Sequence, residues 1–245
     1  MSATEFDRKK FVEGLLILKK VFDKNKIVFW LEAGTLIGAA RDGKIIPWDK
    51  DVDVSYWIEK TPDIYNTNKE FKKYGFELYF TGGHYGLRDI KTKHHLICIL
   101  PAGITKNYIA KMYFSIPFRY FIWMLSEPDY DSRDYDFHDY FSKNVPTFVK
   151  KILVTYSSKF NEKKRMKLIK FFWKLMLKFN LYNPMYIRSP NEYLGRFTHI
   201  DFYGEKFRVP ENYDAYLKFR FSNWKIPDKN ARGKTRGIRE IQAGV

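Results

Sequence analysis

Cysteine occurs once, at Cys98, so the chain forms no disulfide within itself and builds no cysteine-rich zinc centre. Long apolar runs are missing as well. The longest stretch free of Asp, Glu, Lys and Arg is His94–Thr105, twelve residues, which is too short to cross a bilayer. The polar start, running into Asp7-Arg8-Lys9-Lys10, offers no cleavable signal peptide, and a reducing cytoplasm is the expected compartment. Acidic residues are in short supply: 28 against 44 basic ones, a net charge of +16. Such a field attracts polyanions, namely nucleic acid, an anionic membrane face or phosphate-bearing substrates.

What is present is aromatic. With 22 Phe, 18 Tyr and 6 Trp among 245 residues, the composition excludes a disordered chain and suffices for one full-sized core. Phe11, Leu15, Leu18 and Phe22 recur at helical spacing and predict an amphipathic helix over 4–24. Ile27–Leu31 is β-prone. A glycine turn at Gly34-Thr35 then leads into a short helix ending near Ala40, and Arg41-Asp42-Gly43-Lys44 reads as a further turn. From Asp51 to Trp57 polar and apolar positions alternate, the period of a strand. A helix over 61–74 is expected next, then strands at 76–80, 84–90 and 95–100, the last ended by Pro101. Beyond 103 the chain turns aromatic and helical, and a hairpin (197–202, 206–209) and a helix over 210–221 follow it.

Asp51-Val52-Asp53 carries the chemistry. Residues i and i+2 of a strand share a face, and two ionised carboxylates held there repel each other unless a cation lies between them. Mg²⁺, with Mn²⁺ as the alternative, accepts such oxygen ligands together with substrate phosphates. Asp49 joins the same face if the strand begins that early. Upstream, the backbone N–H groups of Gly34 and Thr35 can meet a phosphate at a helix N-terminus, while Arg41 and Lys44 can neutralise further phosphate oxygens. A glycine turn, basic residues and paired carboxylates on the next strand suit metal-assisted phosphoryl transfer. The bland readings are a solvated acidic edge, a tight strand-to-helix connection and ordinary surface charge.

Gly34-Thr35-Leu36-Ile37-Gly38-Ala39-Ala40-Arg41, followed by Ile46-Pro47-Trp48-Asp49-Lys50-Asp51-Val52-Asp53, resembles the signature of the LicD, fukutin and fukutin-related protein family. A second block, Phe207–Glu211 through Tyr216-Leu217 to Trp224–Pro227, resembles the family's carboxy-terminal segment, with Phe221-Ser222-Asn223 where the family has Tyr-Gly. The resemblance implies an α+β, nucleotidyltransferase-like mixed sheet flanked by helices. It implies transfer of a phospho-alcohol, such as phosphocholine or a polyol phosphate, from a CDP-type donor to a glycan hydroxyl. Asp51 and Asp53 would then hold the metal with Asp49 beside them as the catalytic set, Gly34 and Thr35 would line the donor phosphates, and Arg41 would counter their charge. The family's third acid falls at Cys98, and a neutral thiol does not replace a carboxylate as a base or hard-metal ligand. Asp89 on the preceding strand substitutes, or the alignment slips, or catalysis is weakened.

His84, His94 and His95 invite a metal reading that, without companion cysteines at zinc spacing, ranks below surface or hydrogen-bonding roles. The acidic patch from Glu127 to Asp139 reads as a solvated loop. Between Phe148 and Asn180 ten Lys or Arg face a single Glu162. Lys163, Lys167, Lys170, Lys174 and Lys178 share one helical face opposite Leu168, Ile169, Phe172, Trp173 and Met176. That pattern suits the interface of an anionic membrane as well as it suits a solvated surface helix. Nucleic-acid binding ranks lower, because no established motif accompanies the charge.

The expected organisation is therefore one transferase domain, with core 1–103 and 191–245 and a helical, aromatic and basic insertion at 104–190. The expected partners are a CDP-alcohol or other nucleotide donor and a glycan or lipid-linked glycan acceptor, the chain being cytoplasmic and peripheral on the inner face of a membrane. An NTP-using nucleotidyltransferase and a catalytically silent module of the same fold are the alternatives.

Overall fold

The computed structural model describes residues 5–57, 60–61, 64–81, 84–104, 108–111, 113–114, 164, 167, 171, 182–183 and 188–229. The chain divides into two units, one of residues 1–79, 85–112 and 184–245, the other of 80–84 and 113–183.

The larger unit begins with the amphipathic helix α1, Glu5–Lys24. Phe11, Leu15, Leu18 and Phe22 are all buried, as their spacing predicts, each burial being worth roughly 1.5–3 kcal/mol. The helix lies on a sheet whose strands are β1 (Phe29–Leu31), β2 (Val52–Trp57), β3 (Phe76–Thr81), β4 (His84–Asp89) and β5 (His95–Ile104). Their spatial order is β1-β2-β5-β4-β3. β2 runs antiparallel to β1 and parallel to β5, so it is interior, and Val52 and Val54 are fully buried. The fold is the expected α+β mixed sheet with flanking helices.

β5 does not end at Pro101. It exchanges β4 for β6 (Tyr108–Lys111) around that residue, pairing Ile99 with Tyr85 and Ala102 with Lys111. Proline, which has no N–H to give, stands where neither antiparallel ladder has a rung on that edge. The sheet continues past the expected core boundary: β6 pairs with β9 (Arg188–Pro190).

Two helices depart from the sequence expectation. α2 spans Ala33–Arg41, beginning before the glycine, because the Glu32 side chain accepts from the Ala33 N–H at 3.3 Å and caps the end. The sharp turn is carried by Ala33, at φ 47°, and not by Gly34. The single helix expected over 61–74 is instead a 3₁₀ turn, Ile64–Thr67, and a short α3, Asn68–Lys73, with Pro62 outside the described residues. Thr67 donates to the Ile64 carbonyl and the Asn68 side chain accepts from Leu78 N–H, local bonds that compete with helix propagation.

A short α4 (Asn191–Leu194), the hairpin β10–β11 (Phe197–Phe202 and Glu205–Pro210) and α5 (Tyr213–Phe221) complete this unit. Phe197 packs on Trp30 and Phe207 on Phe29, which seats the hairpin against β1. In the second unit β7 (Tyr113–Phe114) pairs with β8 (Tyr182–Asn183). Of the basic segment, Lys164, Lys167 and Phe171 are helical and exposed. The acidic patch and the remaining residues of the lysine face lie outside the described residues. Among the described residues no helix is long and apolar enough to cross a membrane.

Candidate active site

The strand β2 presents its carboxylates at its N-terminal end. Asp51 and Asp53 are half-buried and alternate with the buried Val52 and Val54, so the two acids share the face that the valines avoid. Asp49 lies against α2 at Gly34. A Cβ on Gly34 would stand 2.1 Å from Asp49 Oδ2, so glycine is needed there for the carboxylate to approach the helix. Thr35, fully buried, accepts from the Asp53 N–H at 2.8 Å, and the Asp53 carbonyl accepts from Glu32 N–H at 3.0 Å. These two bonds fix the start of α2 against β2.

Arg41 and Lys44 stand at the other end of that helix, Arg41 about 9 Å along the axis from Thr35. Arg41 grips the Asp42 carboxylate through Nε and Nη2 (2.9 and 2.8 Å) and donates from Nη1 to the Trp224 carbonyl. The Arg41 hydrogen bond holds the Asp42 carboxyl below its ordinary value, against the opposing effect of burial. Lys44 is exposed, and its carbonyl lies where a Cβ on Gly38 would come within 2.5 Å.

A buried network supports the same junction. Glu32 is 1% exposed and its carboxylate accepts from Tyr216 (2.5 Å), Arg220 (3.2 Å), Trp30 Nε1 (3.1 Å) and Ala33 N–H. Burial works against the Arg220 charge, but the Tyr216 phenol, Glu32 and Asp53 outweigh it and raise its pKa. The only sequence signal is an acid closing the apolar run Ile27–Leu31, which reads equally as a strand end.

Cys98 stands opposite Asp53 in the β2–β5 register, and its Sγ lies 3.5 Å from Asp51 Oδ2. The position of the expected third acid is thus held by the thiol and not by Asp89. Asp89 closes a turn, accepting from the N–H groups of Lys91 and Thr92 at 2.9 Å, and pairs with Lys10. His94 is exposed. His95 instead reaches Cys98 Sγ at 3.2 Å through Nε2 and Tyr79 OH at 2.5 Å through Nδ1.

Residues 26–115 match the profile described as LicD/FKTN/FKRP, nucleotidyltransferase domain. The match takes in 90 of the 245 residues. The resemblance read from the signature residues is borne out by that match. A stretch of 39 residues is 51% identical to "Ribitol 5-phosphate transferase FKRP" of Mus musculus and of Homo sapiens, covering 16% of this chain and 8% of each relative. An uncharacterised protein of Rickettsia typhi is 36% identical over 59 residues, 24% of this chain and 19% of that one. The LicD-type segment contains Glu32, Asp49, Asp51, Asp53 and Cys98, whereas Tyr216 and Arg220 reach the junction from outside it.

Asp51 and Asp53, half-buried on one face at the head of β2, are the carboxylates that a divalent cation would meet, with Asp49 against Gly34 of α2; among the described residues the ligand atoms that converge within 4.8 Å are those of Asp51, His95 and Cys98.

Proposed function

We propose that the chain is a metal-dependent phospho-alcohol transferase, moving a phosphocholine- or polyol-phosphate-like group from a CDP-type donor to a glycan hydroxyl. The observation that carries this reading is the pair of half-buried carboxylates at the head of β2, inside the LicD-type segment, with the first turn of α2 fastened alongside. The name of the mammalian relatives, a ribitol 5-phosphate transferase, favours a polyol phosphate as the transferred group.

Asp51 and Asp53 hold the cation, Mg²⁺ or Mn²⁺, with Asp49 next to them. When bound, the ion neutralises charge developing on the phosphoryl oxygens and the leaving group. The amides of Gly34 and Thr35, which have no carbonyl partner within α2, face the donor phosphates. Thr35 and the Glu32–Tyr216–Arg220 network keep those amides and carboxylates in one fixed relation, which is where such a site gains rate. In the transfer the acceptor oxygen bonds to phosphorus and the phosphoanhydride bond breaks. CMP departs with that electron pair, and the hydroxyl proton passes to a carboxylate of the site.

The acceptor is a glycan or lipid-linked glycan. The +16 charge would hold the chain at the inner face of an anionic membrane, in the cytoplasm.

Calorimetric titration with CDP, CDP-choline, CDP-glycerol and CDP-ribitol, with and without Mg²⁺, tests the proposal. Binding that needs the metal and disappears in the Asp51→Asn/Asp53→Asn variant is expected. Binding that this variant retains, or affinity for NTPs alone, overturns it; binding without turnover of any acceptor points to a silent module.

A further inference from the structure

We propose that Asp51, His95 and Cys98 form a site for a borderline-soft divalent cation of the Zn²⁺ type. The ligand set shares Asp51 with the carboxylate pair assigned to Mg²⁺ and has sulfur and imidazole in place of Asp53, and the inference stands whether or not the chain transfers phospho-alcohols.

The spacing of the two β5 ligands ought to keep them apart. His95 and Cys98 are three residues apart, and on a regular strand an odd separation places two side chains on opposite faces. β5 is not regular there. Its pairing with β4 steps from Leu87↔Ile97 to Arg88↔His95, leaving Leu96 as an extra residue. Leu96 and Ile97, though consecutive, are both fully buried, and both reach Gly14 of α1. The bulge therefore turns His95 onto the face of Cys98, towards Asp51.

The distances fit one ion. A tetrahedral Zn²⁺ bound to sulfur, nitrogen and oxygen holds those atoms about 3.5 Å from one another. Here Cys98 Sγ is 3.2 Å from His95 Nε2 and 3.5 Å from Asp51 Oδ2, and all three ligand atoms lie within 4.8 Å of one another. The mixture of thiolate, imidazole and carboxylate is one that Zn²⁺ or Co²⁺ accepts and Mg²⁺ does not. Three protein ligands, each half-buried, leave a fourth position for water or substrate.

The histidine is also held from behind. Tyr79 OH meets Nδ1, and a partner on the remote nitrogen is what orients a ligating imidazole and aims its other nitrogen at the metal. Room for that phenol comes from Gly86, paired with Cys98 in the β4–β5 register, where a Cβ would stand 2.5 Å from the Tyr79 ring. On loading, the Cys98 thiol gives its proton to solvent and Nδ1–H donates to the Tyr79 oxygen.

The test uses the full-length, reduced, metal-stripped chain titrated with Co²⁺ and then with Zn²⁺. A near-ultraviolet sulfur-to-cobalt charge-transfer band that saturates at a single ion per chain and is displaced by Zn²⁺ is expected. Cys98→Ser, with an unchanged circular dichroism spectrum, should lose the band and bind Zn²⁺ at least tenfold more weakly. Tyr79→Phe should keep the band and lose about 10–100-fold in affinity. His94→Gln should change neither. Asp53→Asn should retain the band while losing Mg²⁺-dependent donor binding, which separates this site from the transferase reading. Absence of a sulfur band in the wild-type chain, or full Zn²⁺ affinity in Cys98→Ser, overturns the proposal.

Discussion

Glu32 and Asp53 are joined by a backbone hydrogen bond, yet their carboxylates live in opposite circumstances. Glu32 is sealed, and its two oxygens are taken by a phenol, a guanidinium, an indole and an amide. Asp53 is half-buried on a strand face shared with Asp51. A carboxylate whose lone pairs are consumed by the protein's own donors holds the fold. One left half-buried at the head of a strand, beside a second acid, keeps a side open to solvent from which a ligand can approach. The contrast explains how one short segment is both a structural joint and a reactive edge.

The largest expected effect breaks the reactive half of this pair. Asp53→Asn should lower turnover by at least ~10³-fold, the several kcal/mol that a metal supplies to a phosphoryl transition state. Its urea midpoint should stay near that of the wild type; full activity in the folded variant would remove Asp53 from the site. Next, Glu32→Gln leaves the Arg220 charge buried without its counter-ion and should cost about 3–5 kcal/mol in urea unfolding. Glu32→Gln combined with Arg220→Met should recover most of that loss. If the double variant is no better than the single one, the ion pair is not the cause.

Two glycines of α2 sharpen the comparison further. At Gly38 an added Cβ meets the Lys44 backbone carbonyl, which cannot yield, so Gly38→Ala should cost about 1–3 kcal/mol of stability. At Gly34 it meets the end of the Asp49 side chain, which can swing away. Gly34→Ala should therefore disturb Mg²⁺-dependent donor binding more than thermal stability. Equal thermal losses at the two positions would count against the placement of Asp49. The smallest effect belongs to Asp89, consumed like Glu32 but at the base of an exposed turn. Despite burial, the hydrogen bonds from Thr92 and Lys91 and the charge of Lys10 hold its pKa below the ordinary 3.8. Its contribution is present above that value and is lost as pH falls through the lower, folded one. Asp89→Asn should cost about 1 kcal/mol at neutral pH. The melting temperature of this variant should also fall less steeply than the wild type's between pH 4 and pH 2.

The site was legible where its chemistry is local. The alternation through Asp51-Val52-Asp53, the helical stripe of α1 and the signature around Gly34 are short-range patterns, and each appears where its period places it. Gly34 was legible as a necessary glycine but for the wrong reason. Periodicity sees a turn, while the structure shows a carboxylate packed on its Cα. His95 ranks low as a ligand in the sequence because no companion cysteines stand at zinc spacing, and a regular strand would turn it away from Cys98. A one-residue bulge, which arises from pairing with β4 and has no signature in the local sequence, reunites them.

By itself the sequence determined the helix α1, the strand that carries the paired carboxylates and the excess of positive charge, because these depend on residue type at short spacing. Only the tertiary structure decided what each acid does. Burial, the reach of Tyr216 and Arg220 from nearly two hundred residues away, and the register of β5 are long-range facts. They separate a sealed Glu32 from a half-open Asp53, and they bring one cysteine beside a histidine and an aspartate that no spacing rule would have joined to it.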